Sequence, residues 1–408
     1  MEGKDWELML DVAKMRFSNY PPVSIGKILK KHKELNNITA ISRLLKTAYE
    51  EKVFEIIFND VPKTEPKRID WLEKELEGCF PLNKAIVVDI SEVKEESEEK
   101  EDDRVHEMLG IALALSLQNY FRPGDIIGVG SGRGVYNFAQ KMRELKIPKI
   151  HNTQVVSLAG SMSVRPHAGL FQVLDADGAA LHLATALGCL PPKRLILPAA
   201  FSNRSMLETC LREGTGERLY QKNWENHPNE YCPSVAIVGV GSLALEGKHR
   251  FICHDKEDRE VGPDNFRKSL EQLKEFINDV QKIIGDKGYC PVGDICNRLF
   301  FVPPPPIINN LIESNIEKYN KLSNEIKRII KTLNELIVSV TTKQLDMIDT
   351  VVAIAGGKFK LHAISESISR KRKYPIKSNN IGMPLINILC TDNITAGNLL
   401  GFVRSKIA

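Results

Sequence analysis

Short, nearly continuous apolar segments recur along most of the chain, and segments with helical periodicity separate them. The helix-like segments include VYNFAQKMREL from Val135 and AALHLATALG from Ala179. Apolar segments of this kind are typical of parallel strands that are buried on both faces, and their alternation with helices indicates a sheet covered by helices on both sides. The sequence therefore predicts a Rossmann-like α/β domain over residues 71–408, with strands at AIVVDI, DIIGVG, TQVVSLAG, RLILPAA, VAIVGVG, TVVAIAGG and INILCTD.

Two segments interrupt this alternation. EVKEESEEKEDD, residues 92–103, holds eight acidic residues and two lysines, and we expect such a run to be a solvated loop because its charges repel one another. The second lies within residues 251–343, where two long helical patterns flank GYCPVGDICNRLFFVPPPP. We expect a helical insertion at about 303–343, whose apolar face packs either on its own domain or against a partner helix.

The first sixty residues have a different pattern, with three short helices followed by KVFEIIF, which has strand character. This order predicts a winged helix-turn-helix over residues 1–60, and the prolines of VPKTEPKRI indicate a linker at 61–70. From Val23 to Ala48 there are six lysines or arginines and one glutamate. The exposed face of the third helix predicts contacts with bases and phosphates of DNA through Asn37, Thr39, Ser42, Arg43 and Lys46. A protein-interaction or dimerisation unit is the alternative.

Composition limits the other classes of protein. The chain has 408 residues and a net charge of only +4, so nucleic-acid binding requires a local basic patch. No apolar run approaches the length of a membrane span, and the eight cysteines include no CxxC pair. We therefore expect a cytoplasmic protein with reduced thiols, no metal and no contact with a membrane.

Three loops that follow predicted strands have the residues of an anion site. The loop VGSGRG, which follows the predicted strand at DIIG, offers backbone N–H groups and a cation. Two glycines and a lysine follow the strand TVVAI, and the strand INILCTD ends in a threonine and an aspartate. Ligands of open α/β sheets bind at the carboxyl ends of the strands, where such loops gather. VGSGRG is neither GxGxxG nor a P-loop, so we expect no nucleotide cofactor. The predicted effector-binding residues are Gly130, Ser131, Gly132, Arg133, Gly134, Asp294, Gly356, Gly357, Lys360, Thr391 and Asp392.

The order of these motifs resembles the SorC family of bacterial transcriptional regulators over nearly the full chain. The segments that carry the resemblance are ITAISRLLKTAYEEKVFEI, DIIGVGSGRGV, VAIVGVGS, GYCPVGDICNRLF, VVAIAGGKFKLHAI and TDNITAGNLL. The resemblance implies a ribose-phosphate-isomerase/CoA-transferase-like domain that binds a sugar or sugar phosphate, in a dimer or tetramer on operator DNA. It also places Lys360 at the family's lysine position and residues 130–134 at its phosphate loop.

The residues are also compatible with two other functions. The fold is shared with enzymes, so a sugar-phosphate isomerase or CoA-transferase-like enzyme is the first alternative, with Asp294 or His362 as the general base. The second is a protein-interaction adaptor. Since neither candidate base has a recognisable partner in the sequence, we expect no catalytic residues and no enzyme activity.

Overall fold

The computed structural model describes residues 65–93, 97–145, 147–150, 152–160, 175–189, 195, 197–243, 263–285, 289–304, 312, 315–373 and 382–407. The chain divides into two units, Met1–Lys63 and Thr64–Ala408, and all described residues belong to the second. The predicted winged helix-turn-helix, with its five DNA-contacting residues, lies outside the described residues. Its boundaries and those of the linker stay predictions.

The second unit is built around a parallel sheet in the strand order β1-β8-β7-β4-β2-β3, and neighbouring strands of this path pair in parallel. An antiparallel hairpin of β5 and β6 extends the sheet, because β5 pairs with the last residues of β4. The strands are β1 (Lys84–Val88), β2 (Ile126–Val129), β3 (Gln154–Ser157), β4 (Val235–Ser242), β5 (Val292–Ile295), β6 (Arg298–Phe301), β7 (Thr350–Ile354) and β8 (Ile388–Asp392). The predicted α/β class is confirmed.

Helices cover both faces of this sheet. The described helices are α1 (Asp70–Cys79), α2 (Glu98–Leu117), α3 (Arg133–Glu144), α4 (Ala176–Leu187), α5 (Arg204–Arg212), α6 (Gln221–Asn226), α7 (Pro228–Tyr231), α8 (Asp264–Ile284), α9 (Ile316–Asn334), α10 (Thr342–Met347), α11 (Leu361–Ser369) and α12 (Asn393–Ile407). Within the described part of the chain, no helix is both long enough and apolar enough to span a membrane.

Side-chain alternation along the strands divides the core into two layers. In β1, Ile86 and Val88 pack with residues of α2, α3 and α4, whereas Ala85 and Val87 pack on the opposite face with residues of α1, α8, α9 and α12. Both faces of the parallel strands are therefore largely buried, which accounts for the continuous apolar runs in the sequence.

The described part of the segment expected to be a helical insertion belongs to the main core. Helix α9 packs against α8, and its Leu322, Ile326 and Leu333 are buried in the same cluster as the sheet. Of the two expected arrangements, packing on its own domain is the one that the structure shows.

Two local expectations were wrong. RLILPAA forms no strand over its described residues, where Ala200 makes an isolated bridge with Ile337. The acidic segment is not a loop throughout, because α2 begins at Glu98 and the side chain of Ser97 accepts a hydrogen bond from the backbone N–H of Lys100. This side-chain cap satisfies one of the backbone N–H groups that a helix N-terminus leaves without a partner, so a helix can begin inside the acidic run.

Candidate functional site

The glycine loops predicted to bind the effector meet at one edge of the sheet. They follow β2, β7 and β8, which are parallel and therefore end at the same edge. The first turn of α3, which follows the loop after β2, lies against the end of β7: a Cβ atom on Gly134 would lie 2.7 Å from Cγ2 of Ile354. The sequence prediction that these turns converge is therefore matched by their placement.

The loop after β2 packs closely against β4 and against the turn between β5 and β6. The backbone N–H of Gly130 donates to the carbonyl of Ile237 at 2.8 Å, and a Cβ atom on Gly130 would lie 2.7 Å from Sγ of Cys296. Gly132 has a φ of 136°, in the region that favours glycine, and immediately precedes α3. Glycine is thus needed here both for close approach and for backbone conformation.

The loops after β7 and β8 are joined through one buried carboxylate. Asp392 accepts hydrogen bonds from the backbone N–H of Gly357 at 2.9 Å, from the N–H of Thr395 at 2.7 Å and from the hydroxyl of Thr395 at 2.8 Å. A Cβ atom on Gly356 would lie 2.3 Å from Oδ2 of Asp392. Gly356 is therefore the residue that lets the carboxylate approach the turn, and Gly357 supplies the positive φ of 97°.

Lys360 lies in this site and binds a histidine. Its Nζ is 2.8 Å from Nε2 of His106, whose Nδ1 is 2.6 Å from the carbonyl oxygen of Asp102. Because a carbonyl oxygen only accepts, Nδ1 carries the proton and Nε2 accepts from the ammonium. Burial and the nearby Lys360 lower the pKa of His106 to about 3, so the imidazole is neutral at physiological pH.

The ammonium of Lys360 is held in a polar but partly dehydrated place. Burial, together with the neighbouring Arg133, lowers its pKa to about 8, while Asp102, Asp294 and Asp392 act in the opposite direction. The ammonium has three donors and gives one to a neutral imidazole. It is therefore positioned to donate to an incoming oxygen.

Arg133, the other cation of the site, forms ion pairs within the protein. It lies at the start of α3 and binds the carboxylates of Asp102 and Asp103 in α2. Since Asp102 also holds His106 through its backbone, the first turns of α2 contact both cations of the site. An anionic ligand would compete with these carboxylates for Arg133.

One predicted residue, Thr391, does not face this site. The side chain of Asp392 lies on the same face of β8 as Cys390, which packs against α2, whereas Thr391 lies on the opposite face with Leu389 and is buried there. Asp294 belongs to the site although it lies in the β5–β6 hairpin: it favours the protonated form of Lys360, and its carboxylate accepts from the backbone N–H of Asn297 at 3.1 Å.

His362, an alternative general base, lies on α11 and packs its ring against aromatic residues. The His362 ring lies 5.3 Å from that of Tyr289 and 5.1 Å from that of Phe402, measured between centroids. This environment assigns it to packing.

Sequence reasoning missed Asp102, Asp103, His106 and Asn297. The spacing of Asp102 and His106, four residues apart, was an available signal for one helix face, but the acidic run was interpreted as a loop. Asn297 gave no sequence signal, because its position depends on the hairpin turn described below.

Comparisons with known proteins agree with this architecture. Residues 64–259 match the family model described as "Putative sugar-binding domain". No curated protein matches the chain at a significant level. Among solved structures, the full-length sorbitol operon regulator SorC from Klebsiella pneumoniae is similar, with 20% sequence identity, a TM-score of 0.52, and coverage of 98% of this chain and 100% of that one.

Two further structures show the same fold over most of the chain. A DeoR family transcriptional regulator from Listeria monocytogenes has 19% identity and a TM-score of 0.52, covering 81% of this chain and 98% of its own. A probable sor operon regulator from Shigella flexneri has 19% identity and a TM-score of 0.50, with 81% and 98% covered. Residues 64–259 are therefore similar to the sugar-binding domain family, and the chain has the fold of the SorC regulators, as its sequence motifs predict.

Proposed function

We propose that the chain is a transcriptional regulator of the SorC type, in which residues 71–408 bind a sugar or sugar phosphate and residues 1–60 bind operator DNA. The observation that carries the proposal is the convergence of the glycine turns on Lys360 at one sheet edge. The turn at residues 130–134 lies within residues 64–259, which match a sugar-binding domain. Lys360 and the backbone N–H groups of residues 131–134 are the proposed anion-binding groups, because the N–H of Gly130 already donates to Ile237.

The DNA-binding half of the proposal rests on the local basic charge between Val23 and Ala48 and on the comparisons. The similar SorC structure is described as a full-length operon regulator, and this chain covers the whole of it. Ligand binding would shift the population between arrangements of the sensor domains in a dimer or tetramer, and thereby change the affinity for DNA.

The arrangement of acid–base groups favours binding over catalysis. An isomerase or transferase needs a group that exchanges a proton with the ligand. In this site both ring nitrogens of His106 are engaged, one with Asp102 and one with Lys360. The carboxylates of Asp294 and Asp392 accept backbone N–H groups and so fix the turns around the ligand. These contacts support a sensor that holds its ligand unchanged.

A thermal-shift titration with hexose and pentose phosphates tests the sensor half. At about 100 times the dissociation constant, ligand binding stabilises a protein by about 2.7 kcal/mol, which raises the melting temperature of a domain of about 345 residues by about 4 °C. Lys360→Gln should abolish this rise, whereas Lys282→Gln, which removes a lysine from the surface of α8, should retain it. An equal rise in all three proteins would contradict the assignment of Lys360.

Binding to DNA fragments from upstream of the gene tests the other half. Arg43→Ala should weaken binding about 10-fold, since one base or phosphate contact from arginine is worth about 1–3 kcal/mol. Arg404→Ala removes the same charge from α12 and is the matched control. If the two variants bind DNA equally well, the proposed recognition helix is wrong.

A further inference from the structure

The β5–β6 hairpin ends in a two-residue turn that brings a buried amide to the glycine loop. Ile295 pairs with Arg298, and the turn residues Cys296 and Asn297 have φ values of 52° and 67°. Both angles belong to the type I′ turn, whose left-handed conformation asparagine tolerates and cysteine rarely adopts. A non-glycine residue in such a conformation is retained when the surrounding contacts impose it.

Three contacts impose this conformation on the turn. The carboxylate of Asp294 accepts from the N–H of Asn297, and the hydroxyl of Ser339 donates to the carbonyl of Cys296 at 2.6 Å. The side chain of Cys296 fills the space left by the absent Cβ of Gly130. The turn is thus fixed against the loop after β2, and the Asn297 side chain has a defined position.

The Asn297 carboxamide is directed at that loop and is incompletely bonded. Its Oδ1 accepts from the hydroxyl of Ser131 at 3.0 Å, and both side chains are buried, Asn297 with no exposed surface. Its Nδ2 has no hydrogen-bond partner among the described residues. A buried amide without a partner is unfavourable, because its N–H groups have lost their bonds to water.

We infer that the Asn297–Ser131 pair is a subsite for one hydroxyl group of the sugar. The inference rests on the proposed function and adds to it the residue that recognises the sugar rather than its phosphate. The ligand oxygen would accept from Nδ2 of Asn297, and the ligand hydroxyl would donate to Oγ of Ser131, which already donates to Oδ1. These three bonds form a closed ring in which every polar group both gives and receives.

The ring selects for a hydroxyl. With the opposite orientation of the carboxamide, all three bonds reverse and a hydroxyl still closes the ring. An ionised phosphate oxygen only accepts, so it cannot donate to Ser131. The phosphate therefore belongs with Lys360, and the sugar hydroxyl belongs with Asn297 and Ser131.

Calorimetric titration of the full chain with glucose 6-phosphate, fructose 6-phosphate, ribose 5-phosphate and inorganic phosphate tests this subsite. Asn297→Gly keeps a residue suited to the left-handed turn and deletes the amide. It should weaken binding of the sugar phosphates about 10- to 100-fold and leave the affinity for inorganic phosphate unchanged. Ser131→Ala should weaken sugar-phosphate binding about 5- to 10-fold. Asn152→Gly is the matched control, because Asn152 is an exposed asparagine with a φ of 60°.

The outcomes separate this inference from the proposed function. If Asn297→Gly and Ser131→Ala bind the sugar phosphates as tightly as the parent, the subsite is wrong and the proposed function stands. If Asn297→Gly also loses its affinity for inorganic phosphate, the substitution acts by disturbing the structure of the site and the inference fails. If Asn297→Gly does not fold, Ser131→Ala decides alone. If the parent binds none of the sugar phosphates, the proposed function fails and the inference with it.

Discussion

Anion binding by the sensor domain should weaken steeply above neutral pH, because the ammonium of Lys360 loses its proton there. The pKa of Lys360 is lowered to about 8 by burial. With that pKa, roughly nine-tenths of the lysine is protonated at about pH 7 and roughly one-tenth at about pH 9. If the protonated form alone attracts the phosphate, affinity falls about 10-fold across this interval.

Titration of the ligand does not produce the same effect. The second pKa of a phosphate ester is about 6, so the ligand is already close to fully ionised at about pH 7 and its charge changes little above it. The fall in affinity would therefore report on the protein.

The free protein should respond to pH in the opposite direction. The folded-state pKa of Lys360 lies below the ordinary value of 10.5, so between about pH 8 and about pH 10.5 the unfolded chain binds more protons than the folded one. The contribution of Lys360 to the free energy of unfolding therefore increases with pH over this window. Alkaline conditions should thus weaken binding without weakening the fold through this residue.

Calorimetric titration with a sugar phosphate at closely spaced pH values measures the effect. The parent and Lys282→Gln should show the about 10-fold fall, while Lys360→Gln should bind weakly with no such slope. Constant affinity of the parent from about pH 7 to about pH 9, or an unchanged slope in Lys360→Gln, would refute the role given to this ammonium.

Three further substitutions test contacts around the same edge. Asp392→Asn should lower the free energy of unfolding in urea by about 2–4 kcal/mol, because at least one buried N–H loses a charged acceptor; a loss below about 0.5 kcal/mol would contradict this. Gly356→Ala should destabilise the fold by about 1–3 kcal/mol, since its Cβ would meet Oδ2 of Asp392, whereas Gly78→Ala, where a Cβ meets nothing, should be neutral or stabilising. Asp103→Asn should raise the calorimetric affinity for inorganic phosphate, because it removes one of the two carboxylates that compete for Arg133 and keeps Asp102 beside Lys360; unchanged or lower affinity would show that this ion pair does not compete with the ligand.

Much of the sheet was predictable, because strands buried on both faces leave long apolar runs. AIVVDI covers all but the first residue of β1, and TVVAIAGG contains β7, for this reason. RLILPAA has the same composition, yet its described part bridges to Ile337 without forming a strand, since pairing partners far along the chain decide whether an apolar segment enters a sheet. Local pattern alone does not contain that information.

The site was predictable where glycine and charge follow a strand, and not where distant segments meet. Gly356 and Lys360 are next to β7 in sequence, so their motif placed them correctly at the sheet edge. His106 binds Lys360 across 254 residues, and Asn297 reaches Ser131 across 166. Contacts of this separation follow from the topology of the sheet and from the hairpin turn, neither of which has a local signal.

A crystal structure of the protein with bound sugar phosphate tests the central claim most directly, which is that these convergent turns hold the ligand. The account predicts phosphate oxygens within hydrogen-bonding distance of Nζ of Lys360 and of the backbone N–H groups of residues 131–134, with one sugar hydroxyl between Ser131 and Asn297. A ligand bound elsewhere, with Asp102 and Asp103 still paired to Arg133 and the turns empty, would contradict it.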